Sequence, residues 1–362
     1  MDINRYLSYM VEKDASDLFF TSNAPVLLKA QNETHPINPD TTLSGDEVKE
    51  MAYALLTDDL IDRFETDLEL SAGITVEDVG RFRVSLMKQR RDVAMVIRLI
   101  HTKPPTVEEL NLPSVLKELV NEKRGLILVA GATCSGKSST LAAMLNHRNE
   151  TSHGHILTIE DPIEYLHTYK KSIVNQRELG VDTHSYSEAL KNAIREAPDV
   201  ILIGEIRDEV TMKNAITFAE TGHLCLATIH ASNAIETLDR ALNFFPESNH
   251  HQVLMDLSRN LNAIICQRLI KGNEGLWPAI ELVQNTPYIQ DLIQRGEFDD
   301  IREAISRRTQ NDAITFDSSL IGLYMAGRIS KEDAINSADS KHNMSVQIRL
   351  LDERLSHRRR AV

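Results

Sequence analysis

Apolar and polar residues change their rhythm along this chain near residue 105. Before it, Arg81-Phe82-Arg83-Val84-Ser85-Leu86 alternates with the period of a half-buried strand, Val93 to Ile100 predicts a second strand, and Ile3 to Glu12 predicts a helix. After it, Gly125 to Ala130 is a continuous apolar run, as a strand buried on both faces requires. His155 to Ile159, Val200 to Ile203 and Leu224 to Ile229 repeat that pattern. Helices are predicted between them. Ser138 to Asn146 follows the first run, and Tyr186 to Ile194 sets apolar residues at 186, 189, 190, 193 and 194 on one stripe behind a Ser185/Glu188 capping box. Strands alternating with helices predict a mostly parallel α/β sheet. From about Pro287 the buried-strand pattern stops. Phe316, Leu320 and Leu323 share a helix face that ends near Gly327, and Ser330-Lys331-Glu332-Asp333 opens another helix.

Two prolines in His101-Thr102-Lys103-Pro104-Pro105-Thr106 interrupt regular structure and mark a linker. This divides the 362 residues into a domain over 1–101, a linker over 102–108, an α/β core over 109–286 and a helical C-terminal region over 287–362. No internal repeat or low-complexity segment is present.

Composition narrows the class. Apolar content of 42% with 26% charged residues is that of a globular protein, and apolar runs such as Leu126 to Ala130 are far short of the ~20 residues that span a bilayer. Met1-Asp2-Ile3-Asn4-Arg5 lacks the basic start and apolar stretch of a secretory signal. The cysteines, Cys134, Cys225 and Cys266, are widely spaced and suggest neither a disulfide frame nor a zinc site, so a reducing, cytoplasmic setting is expected. A net charge of -13 argues against a protein that coats nucleic acid. Ser356-His357-Arg358-Arg359-Arg360 is a basic segment that either meets an anionic membrane surface or forms a solvated tail.

The chemistry begins at Gly131-Ala132-Thr133-Cys134-Ser135-Gly136-Lys137-Ser138, a phosphate-binding loop pattern between an apolar strand and a helix. Gly131 and Gly136 let the backbone curl so that its N–H groups point at phosphate, and the helix adds the positive end of its dipole. Lys137 is expected to reach the β- and γ-phosphate oxygens, and the Ser138 hydroxyl to bind Mg²⁺. Hydrolysis also needs carboxylates. Ile156 to Glu164 is a strand ending in Glu160, Asp161 and Glu164, and Asp199 to Glu205 is a strand with an acid at its tip. In an open parallel sheet these acids share the rim that carries the phosphate loop, where one serves as base and another holds the Mg²⁺ shell. Solvated acids at strand ends are the alternative. His223 and His230 bracket the strand Leu224 to Ile229, and His230, at its carboxyl end, is the better placed for phosphate.

These stretches resemble, in order and spacing, the boxes of the secretion and twitching ATPase superfamily. Gly131–Ser138 is similar to its Walker A box, Thr158–His167 to its aspartate box, Ala197–Asp208 to its atypical Walker B box with Gly204 in place of the usual Asp, and Thr221–His230 to its histidine box. Lys13-Asp14-Ala15-Ser16-Asp17-Leu18, Gly80 to Val84 and Val96-Ile97-Arg98 extend the likeness into the first domain. Asn243 to Glu247, Leu254 to Ser258, Ala338-Asp339-Ser340 and Pro287 to Gln294 resemble the PilU branch of the PilT/PilU pilus-retraction ATPases.

The resemblance implies a PAS-like N-terminal domain, a RecA-like ATPase core and a cytoplasmic homohexamer that binds ATP and Mg²⁺. Nucleotide contacts then fall to Gly131 through Ser139, Glu160, Asp161 and His223. Glu205 becomes the catalytic glutamate and part of the Mg²⁺ shell, with Glu164 and His230 beside it. Arg83 and Arg98 match arginines that neutralise charge on the γ-phosphate. The implied partners are a pilus inner-membrane platform protein and a main retraction ATPase, at the cytoplasmic face of the inner membrane.

Two departures stand out. Cys134 occupies a position that is usually glycine, and Ser139 one that is usually threonine. A Cβ at 134 restricts the backbone, and a thiol beside the phosphate-binding amides is expected to make the site oxidant-sensitive. The alternatives are an assembly or type II secretion ATPase, which usually has a long N-terminal extension and a four-cysteine insertion, and a weakly hydrolysing ring partner of another motor.

Overall fold

The computed structural model describes residues 2–30, 33–100, 103–272, 275–306 and 313–360, with side chains as far as Glu353, Ser306 excepted. His101 and Thr102 of the predicted linker, and the side chains of the basic segment Ser356–Arg360, lie outside the described residues. The chain folds as two compact units, Met1–Lys103 with Pro162–His167, and Pro104–Asp161 with Thr168–Val362.

The first unit is an antiparallel sheet with helices. Helix α1 (Ile3–Glu12) starts where the Asp2 carboxylate accepts the Asn4 N–H at 3.0 Å, and it buries Ile3, Leu7 and Met10, one face of a 3.6-residue period. Strands β1 (Asp17–Phe20), β2 (Leu27–Ala30), β3 (Glu33–Pro36), β4 (Glu69–Val76), β5 (Gly80–Gln89) and β6 (Asp92–Ile100) lie in the order β3-β2-β1-β6-β5-β4. Helix α2 (Gly45–Tyr53) opens with a complete Ser44/Glu47 capping box, and α3 (Asp58–Asp67) follows it. Phe20, Phe64, Phe82, Met95 and Ile97 fill the core. The register sets Arg83 of β5 opposite Arg98 of β6, and Arg98 opposite Asp17 of β1.

In the second unit, β7 (Gly125–Ala130), β8 (Gly154–Glu160), β9 (Ser172–Glu178), β10 (Val200–Ile203), β11 (Leu224–Ile229) and β12 (Leu261–Gly272) are parallel. Strands β13 (Gly275–Gln284) and β14 (Ala313–Ile314) complete an edge by antiparallel pairing, giving the order β14-β13-β12-β7-β11-β10-β8-β9. Every residue of β7, β10 and β11 is buried, as their unbroken apolar runs require.

One face of this sheet packs on α4 (Val115–Leu119) and α5 (Lys137–Thr151). The other packs on α6 (Tyr186–Ala193), α7 (Glu209–Glu220), α8 (Ala234–Asn243) and α9 (His250–Asn260). Helix α6 has Ser185 as its N-cap, accepting the Glu188 N–H at 3.2 Å. The C-terminal helices α10 (Pro287–Arg295), α11 (Phe298–Ser306), α12 (Phe316–Met325), α13 (Lys331–Ser337) and α14 (Lys341–Arg360) share that second core. Ile289, Phe316, Leu320 and Met344 are buried together with Ile264 and Cys266 of β12.

Candidate functional site

Strand order decides which loops meet. The carboxyl end of β7 runs into the phosphate loop, and on one side its neighbours β11, β10 and β8 end in His230, Gly204-Glu205 and Glu160. These ends form one rim, as open parallel sheets provide.

Within the loop, Gly136 has φ +88, and a Cβ there would lie 2.7 Å from Gln267 Nε2. A Cβ on Gly131 would lie 2.7 Å from the Gln267 carbonyl oxygen. Neither position accepts a side chain, so the loop curls against β12 with its amides free to turn outward. Lys137 Nζ donates to the carbonyls of Gly131 at 3.0 Å and Ala132 at 2.9 Å, which aims the ammonium across the loop. Ser138, and then Ser139, follow Lys137 in the first turn of α5. Ala132, Thr133 and Cys134 are exposed, whereas Ser135 is buried and its Oγ has no hydrogen-bond partner among the described residues. An unpaired hydroxyl inside a glycine cradle at a helix N-terminus is a donor set suited to a phosphate. Cys134 has φ +62, the left-handed region in which a side chain costs roughly 1–2 kcal/mol.

Glu205 is held from two sides, with a side chain 19% exposed. His230 Nε2 stands 3.1 Å from its Oε1, while Arg207 Nε and Nη2 hold Oε2 at 2.8 and 2.7 Å. Arg207 also reaches Asp161 Oδ2 at 3.8 Å, tying the end of β8 to the end of β10. Its guanidinium is pushed above its ordinary value chiefly by the bond to Glu205. Glu160 accepts from Thr158 Oγ1 at 2.6 Å and Gln176 Nε2 at 3.2 Å.

Tyr186 closes the floor of the site. Burial, with Asp161 next in weight, raises its hydroxyl well above the ordinary value and keeps it neutral. A Cβ on Gly204 would lie 2.8 Å from the Tyr186 hydroxyl and 3.1 Å from the Ile159 carbonyl, so an aspartate there would require both to shift.

Of four further predicted residues, one stands at the opposite end of its strand from the rim and three belong to the first unit. His223 stands at the amino end of β11, roughly 20 Å of strand from His230. There its Nδ1 contacts Thr221 Oγ1 at 3.0 Å and the Phe218 carbonyl at 3.2 Å, an anchor at the foot of the sheet. Arg83 and Arg98 are cross-strand partners in the first unit. Arg83 Nε donates to Ser71 Oγ at 2.9 Å, and Arg98 Nε donates to the buried Asp17 carboxylate at 2.8 Å. Two directly opposed like charges destabilise a sheet, and the Asp17 carboxylate on Arg98 offsets part of that cost. Glu164, exposed, belongs to the Pro162–His167 stretch that groups with the first unit.

Sequence reasoning missed Arg207, Tyr186, Asp17 and Gln267. Only Gln267 carries a signal that pattern alone exposes, since with Arg268 it interrupts the apolar residues Ala263 to Cys266 and Leu269-Ile270.

A parallel sheet with this loop, acid and histidine on one rim defines a P-loop nucleotide-binding protein. Comparison with known proteins narrows the class. Residues 1–290 match the family described as Type II/IV secretion system protein. The chain is 46% identical to the type IV pilus ATPase PilU of Pseudomonas aeruginosa over 355 residues, 98% of this chain and 93% of that one. It is 40% identical to the retraction ATPase PilT of the same organism over 344 residues, 95% of this chain and all of that one. The crystal structure of the pilus retraction motor PilT with bound ADP superposes with a TM-score of 0.86 at 36% identity, covering 94% of this chain and 98% of that one. The chain belongs to the type II/IV secretion ATPase family.

Proposed function

We propose that the chain is an ATP-hydrolysing subunit of the type IV pilus machinery that couples hydrolysis to pilus retraction. The observation that carries this reading is the Glu205 carboxylate held between His230 and Arg207, two strands from the phosphate loop. The loop amides and Lys137 bind the phosphate chain. A Mg²⁺ on the Ser138 hydroxyl, with Glu205 in its outer shell, would neutralise the β- and γ-oxygens. Glu205 orients the attacking water and takes its proton, with one carboxylate oxygen fixed by Arg207 and the other facing His230. His230 is then placed to pass a hydrogen bond to the γ-phosphate. Arg83 and Arg98, on a face that already opposes two cations, supply the countercharge for the transition state. Glu160 and Asp161 shape the electrostatics of the rim.

The working form we propose, as the sequence resemblance implies, is a homohexamer at the cytoplasmic face of the inner membrane, acting on a platform protein beside a main retraction ATPase. Among the described residues no helix is long and apolar enough to cross a membrane, which is consistent with peripheral attachment. The strained Cys134 favours one second reading, a slow ATPase that reinforces another motor. Steady-state hydrolysis by wild type and Lys137→Ala separates the two. A rate abolished by the substitution supports the motor, and equal rates support the slow ring partner. Filament retraction in cells carrying Glu205→Ala tests the coupling, and retraction at normal speed would refute it.

A further inference from the structure

Strand β12 lies beside β7 on the side away from β11, and its register sets Cys266 opposite Ala130, the last residue before the phosphate loop. Gln267 and Arg268 therefore stand level with that loop. The two-residue period of a strand sends them to opposite faces. Gln267 follows Ala263 and Ile265 into the core shared with α5, and Arg268 follows Ile264 and Cys266 toward α8 and the C-terminal helices.

Gln267 is buried, and both ends of its amide meet the phosphate-binding half of the site. Its Oε1 accepts from Thr140 Oγ1 at 2.6 Å, and Thr140 is itself fully buried one turn into α5, where its N–H bonds the Gly136 carbonyl at 3.0 Å. Its Nε2 lies against Gly136, and its main-chain oxygen lies under Gly131. A primary amide in an apolar run costs desolvation unless both ends are used. Here the oxygen is used on the first turn of that helix, and the nitrogen is set against the loop at Gly136.

Arg268 serves the other half. Its Nη2 donates to the Ser232 carbonyl at 3.2 Å, two residues beyond His230. Its Nη1 donates to the Ser337 carbonyl at 3.2 Å and pairs with Asp339 at 2.8 Å, at the end of α13. The guanidinium lies 3.8 Å over the Phe316 ring at the start of α12. On the far side of the same loop, the Glu281 carboxylate accepts the Ala234 N–H at 2.7 Å. The segment carrying His230 is thus pinned from β12 and β13, and the same guanidinium fastens it to the C-terminal helices.

We propose that Gln267 and Arg268 are positioning residues of the nucleotide site, Gln267 setting the phosphate loop and Arg268 setting the His230 segment and tying it to α12 and α13. The inference rests on the assignment of Glu205 and His230 to hydrolysis given above. It predicts opposite signatures for two neighbours in sequence. A loop held out of register weakens nucleotide binding, whereas a displaced His230 segment slows the chemical step, because small misplacements of reacting groups cost rate steeply.

The test uses the full chain, ADP titration by calorimetry and steady-state ATP hydrolysis. For Gln267→Met, which keeps the volume and loses the bond to Thr140 and the polar contact at Gly136, the ADP Kd is expected to rise about tenfold, with kcat falling by a smaller factor. For Arg268→Lys, which keeps a cation for Asp339 but cannot reach two carbonyls together, kcat is expected to fall about tenfold, with the ADP Kd changing by a smaller factor. Arg268→Met should exceed Arg268→Lys in the same direction; if it fails to fold, Arg268→Lys carries the result. Wild-type kcat in Arg268→Lys, wild-type affinity in Gln267→Met, or equal losses of affinity and kcat in both would overturn the proposal. Glu205→Gln is the control for the underlying assignment. If it hydrolyses ATP at the wild-type rate, that assignment fails, while the affinity arm at Gln267 still reads independently.

Discussion

His230 Nε2 lies 3.1 Å from Glu205 Oε1, so the histidine after β11 and the glutamate after the neighbouring strand β10 act on one another directly. Glu205→Gln keeps the size of the side chain and removes its capacity to accept a proton. Hydrolysis is expected to fall by at least about a hundredfold with ADP binding retained. Single-turnover rates alongside calorimetry check this, and a loss of both together would assign Glu205 to binding instead.

His230→Ala leaves Glu205 held by Arg207 alone. We expect kcat to drop about tenfold, less than for Glu205→Gln, because a hydrogen-bond donor to the carboxylate is lost and the carboxylate remains. Pairing the two substitutions measures their coupling. A double mutant whose loss is the product of the single losses would show that the 3.1 Å contact has no energetic meaning.

Cys134 holds φ +62, where a side chain costs roughly 1–2 kcal/mol. Glycine removes that strain and adds about 0.4–1 kcal/mol of unfolded-state entropy. Cys134→Gly is therefore expected to be more stable by up to about 1 kcal/mol and to keep its turnover after mild peroxide treatment. Chemical denaturation and assays before and after oxidation check both parts. A less stable Cys134→Gly would mean that the thiol makes a compensating contact.

Asp17 is buried beside Arg98, whose other cross-strand partner is Arg83. Asp17→Asn keeps a hydrogen-bond acceptor and removes the countercharge. The loss should be about 1–2 kcal/mol, discounted because Arg98 is 60% exposed. Added salt screens the remaining repulsion and should recover part of it. Melting temperatures against NaCl concentration test this, and a salt-independent loss would contradict the electrostatic account.

Burial raises the Glu281 carboxyl above its ordinary 4.5, so the folded state binds its proton more tightly than the unfolded chain does. Its contribution to stability is then greatest below that value and declines as pH rises through the folded value. Glu281→Gln removes the decline and can still accept the Ala234 N–H. The difference in melting temperature between variant and wild type should grow in the variant's favour between pH 4.5 and neutrality. A pH-independent difference would contradict it.

Much of the second unit was legible because its central strands are buried on both faces. An unbroken apolar run as short as Val200 to Ile203, bounded by Pro198-Asp199 and Gly204, suits a strand better than a helix. The hairpin β12–β13 was not legible. Helix α9 passes from Asn260 directly into β12 at Leu261, with no Gly or Pro between them. Pro278 stands in β13 itself, which normally argues against a strand. It is tolerated because the short outer strand β14 pairs only with Leu282 and Val283, leaving the β13 edge at 278 without a partner that needs the missing N–H. Within the site, the loop, Glu205 and His230 follow from strand ends. The grip of Arg207 on Glu205 and of Gln267 on Thr140 joins residues 2 and 127 apart in sequence, and side-chain direction, not spacing, selects both.

Gly204 carries a consequence for how this site can change over generations. An aspartate at 204 would collide with the Tyr186 hydroxyl at 2.8 Å and press on the Ile159 carbonyl and the Glu160 backbone at 3.1 Å. Trimming Tyr186 first relieves only one of those obstacles, since the other two belong to the main chain. The commoner acidic arrangement is therefore reached only with a shift of Tyr186 and of the main chain at the end of β8. Change in this lineage is expected to accumulate around the glycine before it reaches the glycine itself.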